Sequence, residues 1–455
     1  MSSNAMLGVV MPVPTRTSDR DEVLFVFPTV WDHRQLDRCR EAWAGDYTIL
    51  FDGPADHDCD WDFDVVRYLD VATAEFGKGK GNGNRQIAGV TSSSDYPGAT
   101  VAAALATRLG LSGSRPEAIL RCSHKFYSRI VQRDAVPEAT PPFWLIDPRF
   151  PDGGIAARGE AIEFPCYIKP VKGAFSVMAR ALATGDELRE FLARPAVQEF
   201  SREYVAMFNA LVAALSDFEI NGSHFLAEGF LRGQQVTVEG YVFEGEVHTL
   251  GVVDSILHPG IPSFARFDYP SVLPEVTQAR MRDLAARVIA RLGLQNTMFN
   301  IEMIHEPAGD TVHIIEINPR LCGQFADLYR KVDGTSGYEI ALALATGRRP
   351  DVQRGQGRFP WATSFPLRVF EPCEVVAAPD AERIAEVEAR HPGVLVWSEC
   401  EVGQRLDDFE RFEDGYSARY AIVNLGADSR GALLDLRAEV ESELGFAFRS
   451  IATHP

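Results

Sequence analysis

The sequence predicts a multidomain protein of mixed α/β and α+β class, and three observations lead to this prediction. Strands alternate with helices over roughly the first 120 residues, acid-bearing strands follow near residues 299–320, and short strands mix with amphipathic helices from Arg358 onward. The 455 residues suffice for about three domains, since a domain commonly contains about 100–200 residues. We therefore divide the chain into segments 1–122, 123–355 and 356–455.

The first segment is predicted to be a doubly wound, Rossmann-like α/β domain. Strands that alternate with helices at this spacing form parallel βαβ units. The predicted elements are, in chain order, a strand at 23–28, a helix at 33–44, strands at 47–51, 65–70 and 86–91, and a helix at 99–109. Residues 1–20 are left out of the fold prediction.

The second and third segments contain strands and helices in less regular order. Hydrophobic periodicity in the second segment predicts a helix from Ser123, a strand at 143–146, a strand-loop-strand at 165–178, helices at 186–193 and 202–215, strands at 223–228, 235–243 and 246–253, and helices at 275–292 and 336–346. The third segment has short strands and two helices, at 381–390 and 430–443, and is expected to form a compact α+β domain.

Composition excludes several classes of function. The balance of 45 basic against 64 acidic residues gives a net charge of −19, which argues against nucleic acid or an anionic membrane as a partner but not against a small anion such as ATP. Seven scattered cysteines without CxxC spacing favour free thiols over disulfides or zinc. Because there is neither a membrane-length apolar run nor a signal-peptide pattern, we expect a cytoplasmic protein.

A predicted antiparallel hairpin at 299–320 carries the clearest chemistry. Residues two apart on a strand share a face, so Glu316 and Asn318 point the same way, and Glu302 on the partner strand can join them. Two carboxylates and an amide oxygen form the all-oxygen site that Mg²⁺ prefers. Arg320 adds a fixed positive charge beside the metal, which suits a phosphate-bearing substrate.

The alternative is a solvated hairpin whose charged residues face water. It accounts for acids near the turn, such as Glu306, but not for Glu302 and Glu316. Each of these is embedded in apolar neighbours, where carboxylates are usually paired or bound to metal.

Two further segments are weaker indications of a nucleotide site. Lys169 lies on a strand before the small-residue loop 172–176, whose backbone N–H groups could approach phosphates, although a strand and loop with a lysine is common on any surface. Residues 226–239 place Glu228, Phe230 and Leu231 before a glycine turn, where apolar side chains could contact a purine ring; a plain connection between strands is equally compatible with this pattern.

Taken in order, these motifs resemble the ATP-grasp superfamily, in particular its carboxylate–amine ligase branch, which includes the L-amino acid ligases. The resemblance covers most of residues 20–350, and the tail resembles the C-terminal domain of that branch. The matching motifs are Lys125, Val136-Pro137 with Thr140-Pro141, Ile168-Lys169-Pro170, Glu228 to Leu231 with Gly233, Glu302, and Glu316-Ile317-Asn318-Pro319-Arg320.

The resemblance implies an ATP-grasp fold, with a lid at about 140–226, and a role for each matched residue. Arg320 and Lys169 would be catalytic, and Arg320 would stabilise the γ-phosphate and an acyl-phosphate intermediate. Nucleotide contacts would come from Lys125, Lys169, Ser176, Glu228, Phe230, Leu231 and Gln235, the last at a position where the family commonly has an acid for the ribose. Mg²⁺ would be held by Glu302, Glu316 and Asn318.

The implied function is an ATP-dependent ligase that forms an amide bond between a small-molecule carboxylate and an amine, with an amino acid or short peptide as one substrate. A homodimer is usual for such proteins. Residues 254–273 resemble a substrate-facing loop, but Arg266-Phe267-Asp268 stands where the family often has a Gly-His pair. Arg266 is a tentative substrate residue that could bind a carboxylate, and an exposed salt-bridged arginine is the alternative. Glu239 is a second tentative substrate residue, with a structural role as its alternative. The alternatives are a ligase of purine or cofactor metabolism and a nucleotide-binding regulator without activity, which should have lost a metal ligand or the arginine.

Overall fold

The computed structural model describes residues 21–54, 63–77, 86–173, 177–409 and 415–451. The first segment contains a parallel three-stranded sheet of β1 (Asp21–Val26), β2 (Tyr47–Asp52) and β3 (Ile87–Thr91), in the order β2-β1-β3. Its helices are α1 (Val30–Arg38), α2 (Val65–Phe76) and α3 (Gly98–Leu109).

One predicted strand of this segment is wrong. Residues 65–70 form the first half of α2, not a strand. Val65, Leu69 and Ala72 are its buried residues, and their spacing of four and three is that of one helical face. The β-branched valines and the short apolar run suggested a strand, but packing along one face fixes the helix.

Two consecutive helices span the boundary between the first and second segments, α4 (Pro116–Ser123) and α5 (Lys125–Ala135), separated by the extended residue His124. The predicted helix thus starts at Lys125 rather than at Ser123. A four-stranded antiparallel sheet follows, in the order β4-β7-β5-β6. Its strands are β4 (Phe143–Ile146), β5 (Cys166–Pro170), β6 (Arg180–Leu182) and β7 (Phe225–Gly229). Three helices lie between β6 and β7 in the chain, α6 (Gly185–Ala193), α7 (Pro195–Phe200) and α8 (Ala206–Leu215).

An eight-stranded sheet dominates the rest of the molecule, in the order β12-β11-β8-β9-β10-β13-β17-β15. Its strands are β8 (Gln234–Phe243), β9 (Glu246–His258), β10 (Ile261–Tyr269), β11 (Thr297–Glu306), β12 (Thr311–Asn318), β13 (Trp361–Val369), β15 (Leu395–Ser398) and β17 (Ala418–Ala427). The remaining elements are α9 (Glu275–Leu292), α10 (Gly323–Val332), α11 (Gly337–Ala345), β14 (Cys373–Ala377), α12 (Ala381–Arg390), β16 (Arg405–Leu406), α13 (Arg430–Leu444) and β18 (Ala447–Ser450).

This sheet runs across the predicted boundary between the second and third segments, because β13 pairs with β10. The loop expected at residues 254–273 is not what the structure shows. Most of that stretch is regular strand, the end of β9 and all of β10.

The two faces of the sheet pack against different layers. Val236, Ile301 and Met303 belong to the core beneath α9. Val253 and Phe267 point the other way, into the core shared with α10, α11 and the first segment. Directly paired residues of antiparallel strands share a face, and Glu302 pairs with Thr237, which pairs with Val253, so Glu302 lies on the side of the first segment.

Polar contacts hold the first segment against this face. The Tyr338 hydroxyl donates to Asp32 Oδ1 at 2.6 Å, and Trp31 Nε1 donates to the Gly323 carbonyl oxygen at 3.1 Å. None of the helices in the described part of the chain has both the length and the apolar character needed to cross a membrane.

Candidate active site

The hairpin of β11 and β12 brings the predicted metal ligands together. Glu302 lies opposite Glu316, and Asn300 lies opposite Asn318. Burial, and then the neighbouring Glu316 carboxylate, raise the pKa of Glu302 to about 8. Asn318 Nδ2 donates a hydrogen bond to Asn300 Oδ1 at 3.4 Å, which leaves the Asn318 amide oxygen as the atom that could bind a cation. Two crowded carboxylates and an amide oxygen fit a divalent cation, which would supply the counter-charge that Glu302 lacks.

Lys125, the first residue of α5, neutralises the second carboxylate. Its Nζ lies 3.0 Å from Glu316 Oε2 and donates to the Gly173 carbonyl oxygen at 3.0 Å. Burial opposes ionisation of Glu316, but Lys125 and Lys169 outweigh it and hold the pKa of Glu316 below its usual value. Lys125 therefore links Glu316 to the loop after β5. This is the position expected of a residue that binds phosphate beside the metal.

Lys169 lies in a buried ion network. Its Nζ lies 2.8 Å from Glu228 Oε2, while Arg129 Nε lies 2.5 Å from Glu228 Oε1. Both cations also donate to the carbonyl oxygen of Ile315, at 3.0 and 2.8 Å, directly before Glu316. Burial lowers the pKa of Lys169, against the opposing effect of Glu228.

This network changes the expected role of Glu228. Sequence reasoning assigned its side chain to adenine, but both carboxylate oxygens are engaged by Lys169 and Arg129. The Glu228 carboxylate therefore positions Lys169. Arg129 was not among the predicted site residues. Its signal in the sequence is the spacing of four from Lys125 on one helix, which puts both cations on the same face.

The segment after β7 carries the predicted purine contacts. Phe230 is 41% exposed, and the Arg232 guanidinium lies 5.5 Å from the centre of its ring. Leu231 is partly buried. An exposed aromatic ring beside non-strand backbone is suited to contact a flat base. The role of this segment in adenine binding stays a prediction. Ser176 lies outside the residues that the structure describes.

Gln235 makes a contact that the sequence did not indicate. Its Nε2 donates to Glu302 Oε2 at 2.9 Å. The side chain predicted to contact the ribose thus donates a hydrogen bond to Glu302, one of the two carboxylates predicted to bind the metal.

Arg320 follows β12 and meets an acid from the first segment. Its Nε lies 3.8 Å from Asp95 Oδ1, and Asp95 Oδ2 accepts a hydrogen bond from Lys172 Nζ at 2.6 Å. Burial would raise the pKa of Asp95, but Lys172 and Arg320 hold it well below its usual value. Neither Asp95 nor Lys172 was singled out from the sequence. Asp95 follows the carboxyl end of β3, and the carboxyl ends of parallel strands are where functional groups of such domains gather.

Glu239 lies close to this cluster. It is 1% exposed, and Asn300 Nδ2 donates to its Oε1 at 3.1 Å. Burial raises the pKa of Glu239 to about 7, while Asn300 and Arg320 oppose the shift. The structure therefore buries this tentative substrate residue against Asn300, where the charge of Arg320 acts on it.

Arg266, the other tentative substrate residue, is placed elsewhere. Its pair partner on β9 is Ile256, and Asp268, two residues on, pairs with Asp254. Asp254 follows Val253, so Asp254, Asp268 and Arg266 lie on the face opposite Glu302. Arg266 Nε contacts both oxygens of the buried Asp268 at 3.1 Å. Strand alternation turns Phe267, not Arg266, toward the side of Glu302, so Arg266 lies away from the predicted metal ligands and its role in substrate binding stays a prediction.

Comparison with known proteins connects this geometry to a family. Residues 162–327 match the family model described as an ATP-grasp domain. Carnosine synthase 1 of Gallus gallus is 33% identical over 133 residues, which cover 28% of this chain and 14% of that protein. The match thus spans a small part of that relative's length.

Solved structures are similar over nearly the whole chain. L-amino acid ligase from Bacillus licheniformis has a TM-score of 0.67 and 17% identity, covering 95% of this chain and all (100%) of that one. Phosphoribosylglycinamide synthetase from Anaerococcus prevotii has a TM-score of 0.61 and 13% identity, covering 94% and 100%. A biotin carboxylase from Campylobacter jejuni has a TM-score of 0.62 and 13% identity, covering 94% and 92%. At these identities the comparison establishes the fold, and it confirms the predicted ATP-grasp architecture.

Proposed function

The chain carries an ATP-grasp domain, and from this premise we propose that the protein is an ATP- and Mg²⁺-dependent ligase joining a carboxylate to an amine. One observation carries the proposal: the oxygen ligands Glu302, Glu316 and Asn318 share one face of the sheet and have cationic side chains around them. The cations are Lys125, Lys169 and Arg320. Such a set suits the charge that develops on a transferred phosphoryl group.

The reaction proceeds in two displacements. A carboxylate oxygen of the first substrate attacks the γ-phosphorus of ATP, the bond to ADP breaks, and an acyl phosphate forms. The amine nitrogen then attacks the acyl carbon, the bond to the phosphate oxygen breaks, and phosphate leaves with one oxygen from the original carboxylate. The nitrogen releases its proton to form the amide.

The side chains of this protein act by position and charge. Lys125 and Lys169 would contact the phosphates, with Lys169 oriented by Glu228, while Arg320 would stabilise negative charge on the transferred group. Mg²⁺ held by Glu302, Glu316 and Asn318 would neutralise phosphate oxygens. Partial burial of these groups would strengthen their interactions with the phosphates, and an acyl phosphate would have to be kept from water until the amine attacks.

An amino acid or short peptide is the proposed substrate class. The fold similarity to an L-amino acid ligase over the whole chain and the sequence similarity to part of carnosine synthase 1 both support this class.

The proposal is tested by measuring phosphate release from ATP and Mg²⁺ across a matrix of single and paired amino acids. We expect release only with particular pairs, an amide product of matching mass, and loss of both with Glu316→Ala and with Arg320→Ala. ATP binding without turnover by any carboxylate and amine pair would contradict it. Release that persists in both variants would also contradict it.

A further inference from the structure

We propose that Asp95 of the first segment is a positioning residue of the active site, holding the Arg320 guanidinium away from the metal ligands. The inference rests on the proposed function and extends it to a residue outside the part of the chain that matches the ATP-grasp domain. Its basis is the bridge that the Asp95 carboxylate makes between Lys172 and Arg320.

The loop that carries Asp95 is fixed on both sides. Ser92 Oγ donates to the Val26 carbonyl oxygen at 2.7 Å, and the backbone N–H of Ser94 donates to Ser92 Oγ at 3.1 Å. The hydroxyl of Tyr96 accepts a hydrogen bond from the Phe208 backbone N–H at 2.7 Å. The carboxylate is therefore presented from a defined backbone between two segments of the chain.

Lys172 fixes the orientation of the carboxylate. Its side chain is 3% exposed, and its Nζ lies 5.3 Å from the ring centre of Tyr96 and 5.8 Å from that of Phe208. A buried ammonium needs an anionic partner, and Asp95 Oδ2 at 2.6 Å supplies it. Oδ1 of the same carboxylate is left facing Arg320, at 3.8 Å from Nε.

Arg320 has competing partners. The charges of Glu239 and Glu302 also act on its guanidinium, although more weakly than Asp95. Without Asp95, attraction would draw the guanidinium toward Glu302, where it would compete with the cation for a ligand oxygen. Asp95 thus keeps Arg320 available to the transferred phosphoryl group and keeps Glu302 available to Mg²⁺.

The test compares Asp95→Asn with the wild type in two independent measurements. Turnover should fall about 100-fold with little change in the KM for ATP, because a small displacement of a catalytic group has an effect of that order. Calorimetric titration of ATP at a series of Mg²⁺ concentrations should show that the variant needs about ten times more Mg²⁺ for the same affinity. The reason is that the freed Arg320 guanidinium would pair with the Glu302 carboxylate and compete with Mg²⁺ for it. Asp95→Glu should restore part of both.

Double variants separate positioning from a general structural role. Asp95→Asn added to Arg320→Ala should leave the Mg²⁺ requirement for ATP binding at the value of Arg320→Ala alone, because Asp95 acts through Arg320. Asp95→Asn with Lys172→Met removes both buried charges, so it avoids an unpaired lysine and should show the same loss as Asp95→Asn alone. Asp70→Asn is the matched control, since Asp70 pairs with Arg108 at 2.9 Å on the surface of the same segment; it should behave as wild type.

The outcomes distinguish this inference from the proposed function. Wild-type turnover by Asp95→Asn, or a further rise in the Mg²⁺ requirement when Asp95→Asn is added to Arg320→Ala, would overturn the role of Asp95 while leaving the ligase intact. Failure of the wild type to turn over any substrate pair would overturn the proposed function instead. In that case the Mg²⁺ titration decides, and an unchanged Mg²⁺ requirement in Asp95→Asn overturns the inference.

Discussion

At the scale of single residues, buried ionisable groups near the candidate active site have properties that solution experiments can measure. Glu239 is the clearest, because its folded-state pKa of about 7 lies above its ordinary value of 4.5. The folded protein therefore holds this proton more tightly than the unfolded chain does. The resulting contribution to stability is complete below the ordinary pKa and is lost as the pH rises through 7.

We therefore predict that Glu239→Gln makes stability less sensitive to pH. A glutamine imitates the protonated acid, so the variant should gain thermal stability relative to the wild type as the pH rises from about 4.5 through 7, the interval between the two pKa values. Thermal unfolding at several pH values measures this. Glu244→Gln, in the exposed turn that follows the same strand, is the control and should run parallel to the wild type. A constant difference between Glu239→Gln and wild type at all pH values would contradict the assignment.

Arg129 is the second test at this scale. Arg129→Met should reduce the free energy of unfolding by about 3–5 kcal/mol, because it leaves the buried Glu228 with one cation fewer and the Ile315 carbonyl with one donor fewer. Urea unfolding measures the loss. Arg133→Met on the exposed face of the same helix should cost at most about 1 kcal/mol. Equal effects of the two substitutions would show that the buried network does not stabilise the fold.

At the scale of elements, close packing between strands and aromatic rings limits what the central sheet can accept. A Cβ added at Gly251 on β9 would lie 2.5 Å from Tyr269 Cε2. That ring cannot move freely, because its hydroxyl donates to Asp333 Oδ2 at 2.5 Å and its centre lies 4.6 Å from that of Tyr329. We predict that Gly251→Ala destabilises the protein by about 1–3 kcal/mol.

The matched control for Gly251 is Gly431→Ala in α13. The nearest atom to its added Cβ is Ser429 Oγ at 3.9 Å, so the substitution should be neutral or stabilise by up to about 1 kcal/mol. Chemical denaturation of both variants gives the comparison. Similar stability changes in the two would mean that Gly251 has more space than its packing against Tyr269 indicates.

Elements with strong periodicity were predictable from sequence, whereas contacts between distant elements were not. The helix at 275–292 and the strand that carries Glu302 have the predicted boundaries to within two residues, since each has a consistent apolar face. The strand predicted at 65–70 is a helix because tertiary packing decides between the two for a short apolar run. The face on which Arg266 lies could not be predicted, because it depends on the pairing register, which the sequence does not state.

The same distinction applies to the site. Glu302, Glu316 and Asn318 could be predicted because their relation is local to one hairpin. Asp95 and Lys172 could not, since their partnership with Arg320 depends on how three distant stretches of chain meet.

At the scale of the whole molecule, the third segment is joined to the rest by backbone pairing. β13 continues the central sheet from β10, with Asp268 opposite Thr363. Trp397 stacks on Trp31 of the first segment at 4.6 Å between ring centres, and Arg34 Nη2 lies 2.7 Å from Glu388 Oε1. These contacts tie the first and third segments together around the central sheet.

We predict that a fragment ending at residue 355 does not fold to a stable monomer. Removal of β13 would leave β10 as an uncovered edge and would expose the apolar surface that Ala362 covers in the core containing Phe325. Size-exclusion chromatography and thermal unfolding of the fragment beside the full chain test this. A soluble fragment that unfolds cooperatively and binds ATP would show that the predicted boundary at 355 separates independent domains.

The proposed chemistry is tested most directly by following an oxygen atom. A carboxylate substrate labelled with ¹⁸O, identified by the phosphate-release matrix, is incubated with the amine, ATP and Mg²⁺, and the released phosphate is examined by mass spectrometry. Attack of the carboxylate on the γ-phosphate predicts one ¹⁸O atom in each phosphate formed and none in ADP. Unlabelled phosphate, or label in a released AMP, would contradict an acyl-phosphate ligase.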